Sequence, residues 1–185
     1  MIEIKISGRG GQGVVLASQI LAMAFFKCRR WVQAFPSFGA ERRGAPVSAF
    51  VRADEKEMTL RCGIYHPTWM ILFDPYLLEN SVGLSEIREK GSLLINGREM
   101  QKGMKIPKGA HFFVVDAIAI AHGLGLGGAT SPIVNTAMVG AFAGASKLIT
   151  IESVTESIRE MAPAQREKNE MAAREAYKLV KEVVL

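Results

Sequence analysis

Ile2, Ile4 and Ile6 alternate with Glu3 and Lys5 at the head of the chain, the period-two pattern of a strand with one apolar face. Residues 14–26 (Val-Val-Leu-Ala-Ser-Gln-Ile-Leu-Ala-Met-Ala-Phe-Phe) are long and apolar enough for a buried helix. Strand signals recur at 31–35, 47–53, 69–73, 93–95 and 111–116, with 58–62 expected as the hairpin partner of 47–53 across a charged turn. The run 69–73 is apolar throughout, as in a central strand buried on both faces. Helices are expected over 76–89, 117–122, 133–146 and 151–161, and from about 164 to the end. Ser131 suits the N-cap and Pro132 the first helical position of the third of these. In the last, Met171, Ala173, Ala176, Tyr177, Val180 and Val184 are expected on one stripe. Strands alternating with helices at these lengths predict an α/β fold. The expected form is one three-layer Rossmann-like domain over 1–185, with a mostly parallel sheet and an antiparallel hairpin addition.

Between the first strand and the first helix lies Ser7-Gly-Arg-Gly-Gly-Gln-Gly13, with Gly8, Gly10 and Gly13 in the G-x-G-x-x-G register. Glycines allow angles and close approaches that a Cβ forbids. The first N–H groups of the helix are donors at the positive end of its dipole, so an anion, most often a diphosphate, fits there. The bland alternative is a tight turn where helix packs on strand. An acid some 20 residues onward, needed to hold an NAD ribose, is missing; Arg29 and Arg30 stand there instead. That leaves open a nucleotide with an extra ribose phosphate, such as NADP or coenzyme A. A second unusual loop, 36–46, joins glycines and prolines to Glu41, Arg42 and Arg43, and reads equally as a ligand clamp or a subunit contact. A third glycine-rich stretch, 123–130, precedes Asn135, which either donates to a ligand or satisfies neighbouring backbone. Gly140 and Gly144, four apart, suggest close backbone packing.

Composition narrows the classes. With 185 residues, 49% hydrophobic and 22% charged, the chain is globular. The two cysteines, Cys28 and Cys62, have no C-x-x-C spacing, and the three histidines have no metal spacing, so no metal or cluster is expected on this chain. No signal peptide or membrane span is expected, and the cytoplasm is the expected location. A net charge of +5 favours polyanionic partners, but no basic–aromatic stripe points to nucleic acid. G-x-S-x-G, H-E-x-x-H and the P-loop lysine are all absent, so no catalytic residue is expected here. An anion cradle without catalytic apparatus suggests a chain that holds part of a substrate for another active site.

The string 4–17, with its glycine loop, followed by Phe35-Pro-Ser-Phe-Gly-Ala-Glu-Arg-Arg-Gly44 ahead of an alternating strand, resembles the gamma subunit of 2-oxoacid:ferredoxin oxidoreductases, equivalent to domain III of pyruvate:ferredoxin oxidoreductase. The likeness runs nearly end to end, through 115–125, Asn135 with Gly140-Ala141, and Asn169 with Ala172 and Tyr177. It implies an enzyme that oxidatively decarboxylates a 2-oxoacid to an acyl-CoA and reduces ferredoxin. Thiamine diphosphate, magnesium and iron–sulfur clusters would lie on companion alpha, beta and ferredoxin-type delta subunits. For this chain it implies coenzyme A handling and assembly, with no turnover alone. The coenzyme phosphates are expected at Gly8, Arg9, Gly10, Gly11, Gln12 and Gly13, with Asn135 a further contact. Ser37, Gly39, Glu41, Arg43 and Gly44 form the expected subunit or ligand loop. Two departures from the family pattern, Ala45 after Gly44 and Cys28-Arg29 after the first helix, bear on that loop. The alternatives are a purely structural assembly subunit and a free-standing NADP-dependent reductase.

Overall fold

A computed structural model describes residues 1–37, 44–60, 62–77, 84–99 and 107–183. Its frame is a seven-stranded sheet. The strands are β1 (Ile2–Arg9), β2 (Trp31–Ser37), β3 (Pro46–Asp54), β4 (Trp69–Leu72), β5 (Ser92–Asn96), β6 (His111–Val115) and, after the two-residue β7 (Gly127–Gly128) and β8 (Ser131–Pro132), β9 (Lys181–Glu182). The order across the sheet is β2-β3-β1-β4-β5-β6-β9. β1, β4, β5 and β6 run parallel, with Ile6 beside Ile71 and Ile71 beside Leu94. β3 and β2 extend one edge antiparallel, and β9 the other. All four residues of β4 are buried, as expected of a strand covered on both faces.

The described helices are α1 (Val14–Lys27), α2 (Ala117–Leu124), α3 (Asn135–Ser146), α4 (Ile151–Met161) and α5 (Arg166–Leu179). All five feed one core cluster, in which Ile4, Ile6, Ile71, Leu94 and Val115 of the sheet meet Ile20, Leu21, Phe25, Phe142, Val154 and Ile158. Trp69 stacks on Phe113 and meets Phe142 edge-on, tying sheet to helix layer. The opposite face, Met70, Leu72, Leu93, Ile95, Phe112 and Val114, is closed by Leu77 and Ile87. The two helices α3 and α5 touch backbone to backbone. A Cβ on Gly140 would lie 2.1 Å from the Ala173 carbonyl oxygen, and one on Gly144 2.5 Å from that of Tyr177.

Several local expectations are corrected. Residues 58–60 and 62 form no strand, because β3 is already paired on one side by β1 and on the other by β2, and offers no free edge. The segment crosses the sheet instead, with the Met58 carbonyl accepting from Gln33 and that of Cys62 from Arg52. Ser131-Pro132 does not open a helix. It pairs with Gly127-Gly128 in a small hairpin, and α3 starts at Asn135 behind Val134. Of the helix expected over 76–89, Leu77 is helical, residues 78–83 lie outside the described residues, and Leu84–Glu86 form a 3₁₀ turn. On α5, Met171 is 55% exposed while Ala172, Ala173 and Ala176 are buried, since small residues are what the close approach to α3 admits. Val184 lies outside the described residues.

Candidate functional site

β1 carries the chain to the sheet's carboxyl end, and its glycines then divide into two groups. Gly8 is a packing glycine: a Cβ there would lie 2.7 Å from Val14 Cγ2 and 3.0 Å from Phe73 Cβ. Gly10 laces the loop to the described end of the 36–46 loop, its N–H donating to the Ala45 carbonyl at 2.9 Å and its carbonyl accepting from Gly44 N–H. Gln12 closes the turn on Arg9. Its N–H donates to the Arg9 carbonyl, and its Oε1 accepts from the Arg9 N–H at 2.7 Å. The Arg9 side chain is bound to the Asp74 carboxylate and to the Gly44 carbonyl. Of the expected phosphate-binding residues, these four therefore build the turn.

Gly11 and Gly13 face outward into a cleft of about 380 Å³, shared with Asn135, Thr136, Gln165 and Asn169 and walled by Leu16, Leu126, Ile133 and Pro163. Both glycines have positive φ, 99° and 78°, which only glycine adopts without strain. Gly13 is the N-cap of α1, and the first intrahelical bond runs from Ala17 N–H to its carbonyl. The N–H groups of Val14, Val15 and Leu16 thus precede the helical ladder, with no capping side chain. A Cβ on Gly13 would lie 2.5 Å from Asn135 Nδ2, so the glycine is also what lets α1 and α3 begin side by side.

Asn135 is 3% exposed. Its Oδ1 accepts from the Thr136 N–H at 2.8 Å, which fixes the orientation of the amide. No acceptor among the described residues takes a hydrogen bond from Nδ2, and no buried side-chain polar atom there is sealed off without a partner, so Nδ2 opens on the cleft. The neighbouring polar groups are committed. Thr136 Oγ1 donates to Asn169 Oδ1 at 2.9 Å, and Asn169 Nδ2 donates to the carbonyls of Ala164 and Gln165. Gln165, the N-cap of α5, is held at φ 50°, uncommon for a residue with a Cβ. The starts of α1, α3 and α5 therefore converge on one cleft, and no charged side chain lines it among the described residues. Such an arrangement binds anions through amides and helix dipoles.

The sequence marked Gly11, Gly13 and Asn135, and the structure brings them together. Thr136, Gln165, Leu16 and Leu126 were not singled out, and Asn169 entered only through the family likeness. The signal for Gln165 was the break at Pro163 just ahead of a helical pattern. Ser37 is exposed at the end of β2, opposite Ser48, and Gly44 adopts φ 82°. Gly39, Glu41 and Arg43 lie outside the described residues.

A second hollow, about 330 Å³, lies past the ends of β5 and β6 and holds Arg98, Asp116, Glu175 and Lys181. Asp116 caps α2 through the Ala119 N–H and pairs with Arg98 at 2.6 Å. Its partial burial alone would raise its pKa, but the Arg98 guanidinium and the Ala119 N–H outweigh this and hold the carboxyl below its usual range. Among the described residues there is no group of three or more His, Cys, Asp or Glu placed to hold a metal, and no helix long and apolar enough to cross a membrane.

The fold and this cleft define an α/β unit in which three helix starts frame one hollow, and among the described residues no acid–base pair lines it. Residues 3–179 match the family model of pyruvate ferredoxin/flavodoxin oxidoreductases. The chain is 47% identical over 181 residues to the pyruvate synthase subunit PorC of Methanocaldococcus jannaschii, covering 96% of both chains. It is 44% identical over 184 residues to the common gamma subunit of the pyruvate/ketoisovalerate oxidoreductases of Pyrococcus furiosus, again covering 96% of both. The crystal structure of the pyruvate oxidoreductase subunit PORC of Thermotoga maritima superposes with a TM-score of 0.81 at 32% identity, over 99% of this chain and 98% of that one. The fold also recurs in the 2-oxoglutarate:ferredoxin oxidoreductase of Magnetococcus marinus (TM-score 0.75, 19% identity), where it covers 96% of this chain and 30% of that one; that structure holds 2-oxoglutarate, coenzyme A and succinyl-CoA. The chain belongs to the pyruvate ferredoxin/flavodoxin oxidoreductase family, as a gamma subunit. It is one part of a multisubunit oxidoreductase.

Proposed function

We propose that this gamma subunit contributes the coenzyme A site of a cytoplasmic enzyme that oxidatively decarboxylates a 2-oxoacid to an acyl-CoA and reduces ferredoxin. The thiamine diphosphate, magnesium and iron–sulfur chemistry then belongs to the alpha, beta and ferredoxin-type delta companions. The observation that carries the reading is the cleft where three helix starts meet beside the open amide of Asn135. A phosphate of the coenzyme meets the amides at the start of α1, around Gly11 and Gly13, and accepts from Asn135 Nδ2. Gly8, Gly10, Gln12 and Arg9 act one step back, by holding the turn. The test is steady-state kinetics of the assembled enzyme carrying Gly13→Ala. We expect the KM for coenzyme A to rise at least tenfold with the KM for the 2-oxoacid unchanged. A KM for coenzyme A equal to that of the natural enzyme overturns the reading.

A second role, in assembly, is favoured by the apolar side chains exposed beside the edge strand β2. Phe26 and Trp31, 62% and 51% exposed, line one hollow beside β2, and Leu60, 44% exposed, lines another with Phe35. Replacing Trp31 with Glu is expected to weaken co-purification of the companion subunits. The free-standing NADP reductase is not carried further, because the chain matches gamma subunits over nearly its whole length.

A further inference from the structure

The two edges of the sheet are finished in opposite ways. β9 is two residues long, and both, Lys181 and Glu182, are charged, which guards that edge against further pairing. β2 runs seven residues, Trp-Val-Gln-Ala-Phe-Pro-Ser, without a charge, and among the described residues nothing pairs beyond it. Pro36 brings no N–H, but residues 31–35 present a row of backbone groups at an unguarded edge. Two hollows lie along this strand. One, about 470 Å³, is lined by Phe26, Arg29, Arg30, Trp31 and Val32, and the other, about 500 Å³, by Gln33, Ala34, Phe35 and Leu60. Extended chain laid along β2 passes both, with alternate side chains to place in them.

The end of α1, beside the first hollow, singles out Arg29. The Arg29 N–H donates to the Phe26 carbonyl at 2.9 Å and the Arg30 N–H to that of Phe25 at 3.1 Å, a helix stop that needs a left-handed residue. Arg29 takes that place at φ 58°, where glycine is at ease and a side chain is strained. Arg30 is committed to Glu55 at 2.7 Å, whereas no carboxylate among the described residues lies within ion-pair reach of Arg29. The hollow thus joins two exposed aromatic rings to an uncommitted guanidinium, a surface for an apolar side chain beside an acidic one.

We propose that the β2 edge receives an extended segment of a companion subunit as an added strand, and that an Asp or Glu of that segment pairs with Arg29. This rests on the assembly reading and names the chemistry of the partner. A second copy of this chain, pairing through its own β2, supplies no carboxylate from that strand, which has none. The first test is hydrogen–deuterium exchange of the full-length chain, free and in the assembled enzyme. The backbone amides of residues 31–35 are expected to exchange at least tenfold more slowly in the assembly, and equal rates overturn the added strand. The second test is reconstitution of the enzyme from its companions with the natural chain, Arg29→Gly or Arg29→Lys. Glycine suits the left-handed position, so Arg29→Gly is expected to melt no lower than the natural chain and yet to lose at least tenfold in affinity for the companions. Arg29→Lys keeps the charge and should lose no more than about threefold. An Arg29→Gly chain that associates like the natural one overturns the ion pair. Should Trp31→Glu leave co-purification intact, the assembly reading at this edge fails as well. Should it weaken co-purification while residues 31–35 exchange alike in both states, only the present inference fails. A dimer of the isolated chain in sedimentation that Trp31→Glu dissolves would make a second copy the occupant and overturn the companion segment.

Discussion

Two clusters of buried polar groups sit at different places in this molecule, and they are finished differently. Under the antiparallel edge, Arg52, only 1% exposed, donates to Glu3 Oε1, to the carbonyls of Cys62 and Gly63, and lies over the Phe35 ring. Glu3 takes its second partner from Arg88, and its backbone is closed by Thr68. Every donor of consequence there has an acceptor within the chain. At the cleft, Thr136 and Asn169 are equally committed, but Asn135 keeps one donor open. The first cluster fastens the 62–63 segment to the sheet; the second stops one bond short of completion. A charged, buried group is thus the poorer sign of a site here, and a neutral amide the better one, because completion of the hydrogen bonds separates fastening from binding.

The largest effect that separates them should come from Arg52→Ala. Leaving Glu3 buried without its main partner is expected to lower stability by about 3–5 kcal/mol in chemical denaturation. Ligand affinity of the molecules that remain folded should stay where it was; a parallel loss would mean that the two clusters are coupled. Gly140→Ala comes next. A methyl group 2.1 Å from the Ala173 carbonyl oxygen forces α3 from α5, at about 1–3 kcal/mol, and should move the cleft as well, so that stability and binding fall together. Asn135→Asp should differ from Arg52→Ala in what it does to binding: the carboxylate it buries, answered only by the helix starts, is expected to cost about 1–3 kcal/mol in stability, and affinity should clearly be lost. The smallest effect concerns Asp116. Because its carboxyl is held below the usual range when folded, its contribution is present above the unfolded value, about 3.9, and is lost as pH falls through the lowered folded value. Asp116→Asn keeps the cap on α2 and should flatten the acid limb of a melting-temperature profile slightly, without touching the cleft.

Much of this was legible in the chain's pattern. The strand, glycine loop and helix at 2–27 declare themselves through a change of period from two to that of a helix, and β4 through its unbroken apolar run. The contents of the cleft were half legible. Gly13 and Asn135 carried local signals, while Gln165 and Asn169 reach the site only because Gly140 and Gly144 bring α5 against α3, a consequence of tertiary packing. Glu3 and Arg52 look like the solvent side of alternating strands, and nothing local reveals that residues 62–63 will cross over them. The misread 58–62 hairpin has the same origin. A nearby partner in sequence lost to β1 and β2, which took both edges of β3 first in space. Ser131-Pro132 had sound N-cap chemistry, but the neighbouring glycines offered it a backbone partner, and that pairing prevailed.

The backbone contact of Gly140 and Gly144 with Ala173 and Tyr177 has a mechanical corollary. Two of the three helices framing the cleft are welded into one unit, so a visiting molecule meets a jaw that does not yield. Any widening to admit it has to come from the other jaw, where α1 springs from a loop of glycines tied to Gly44 and Ala45.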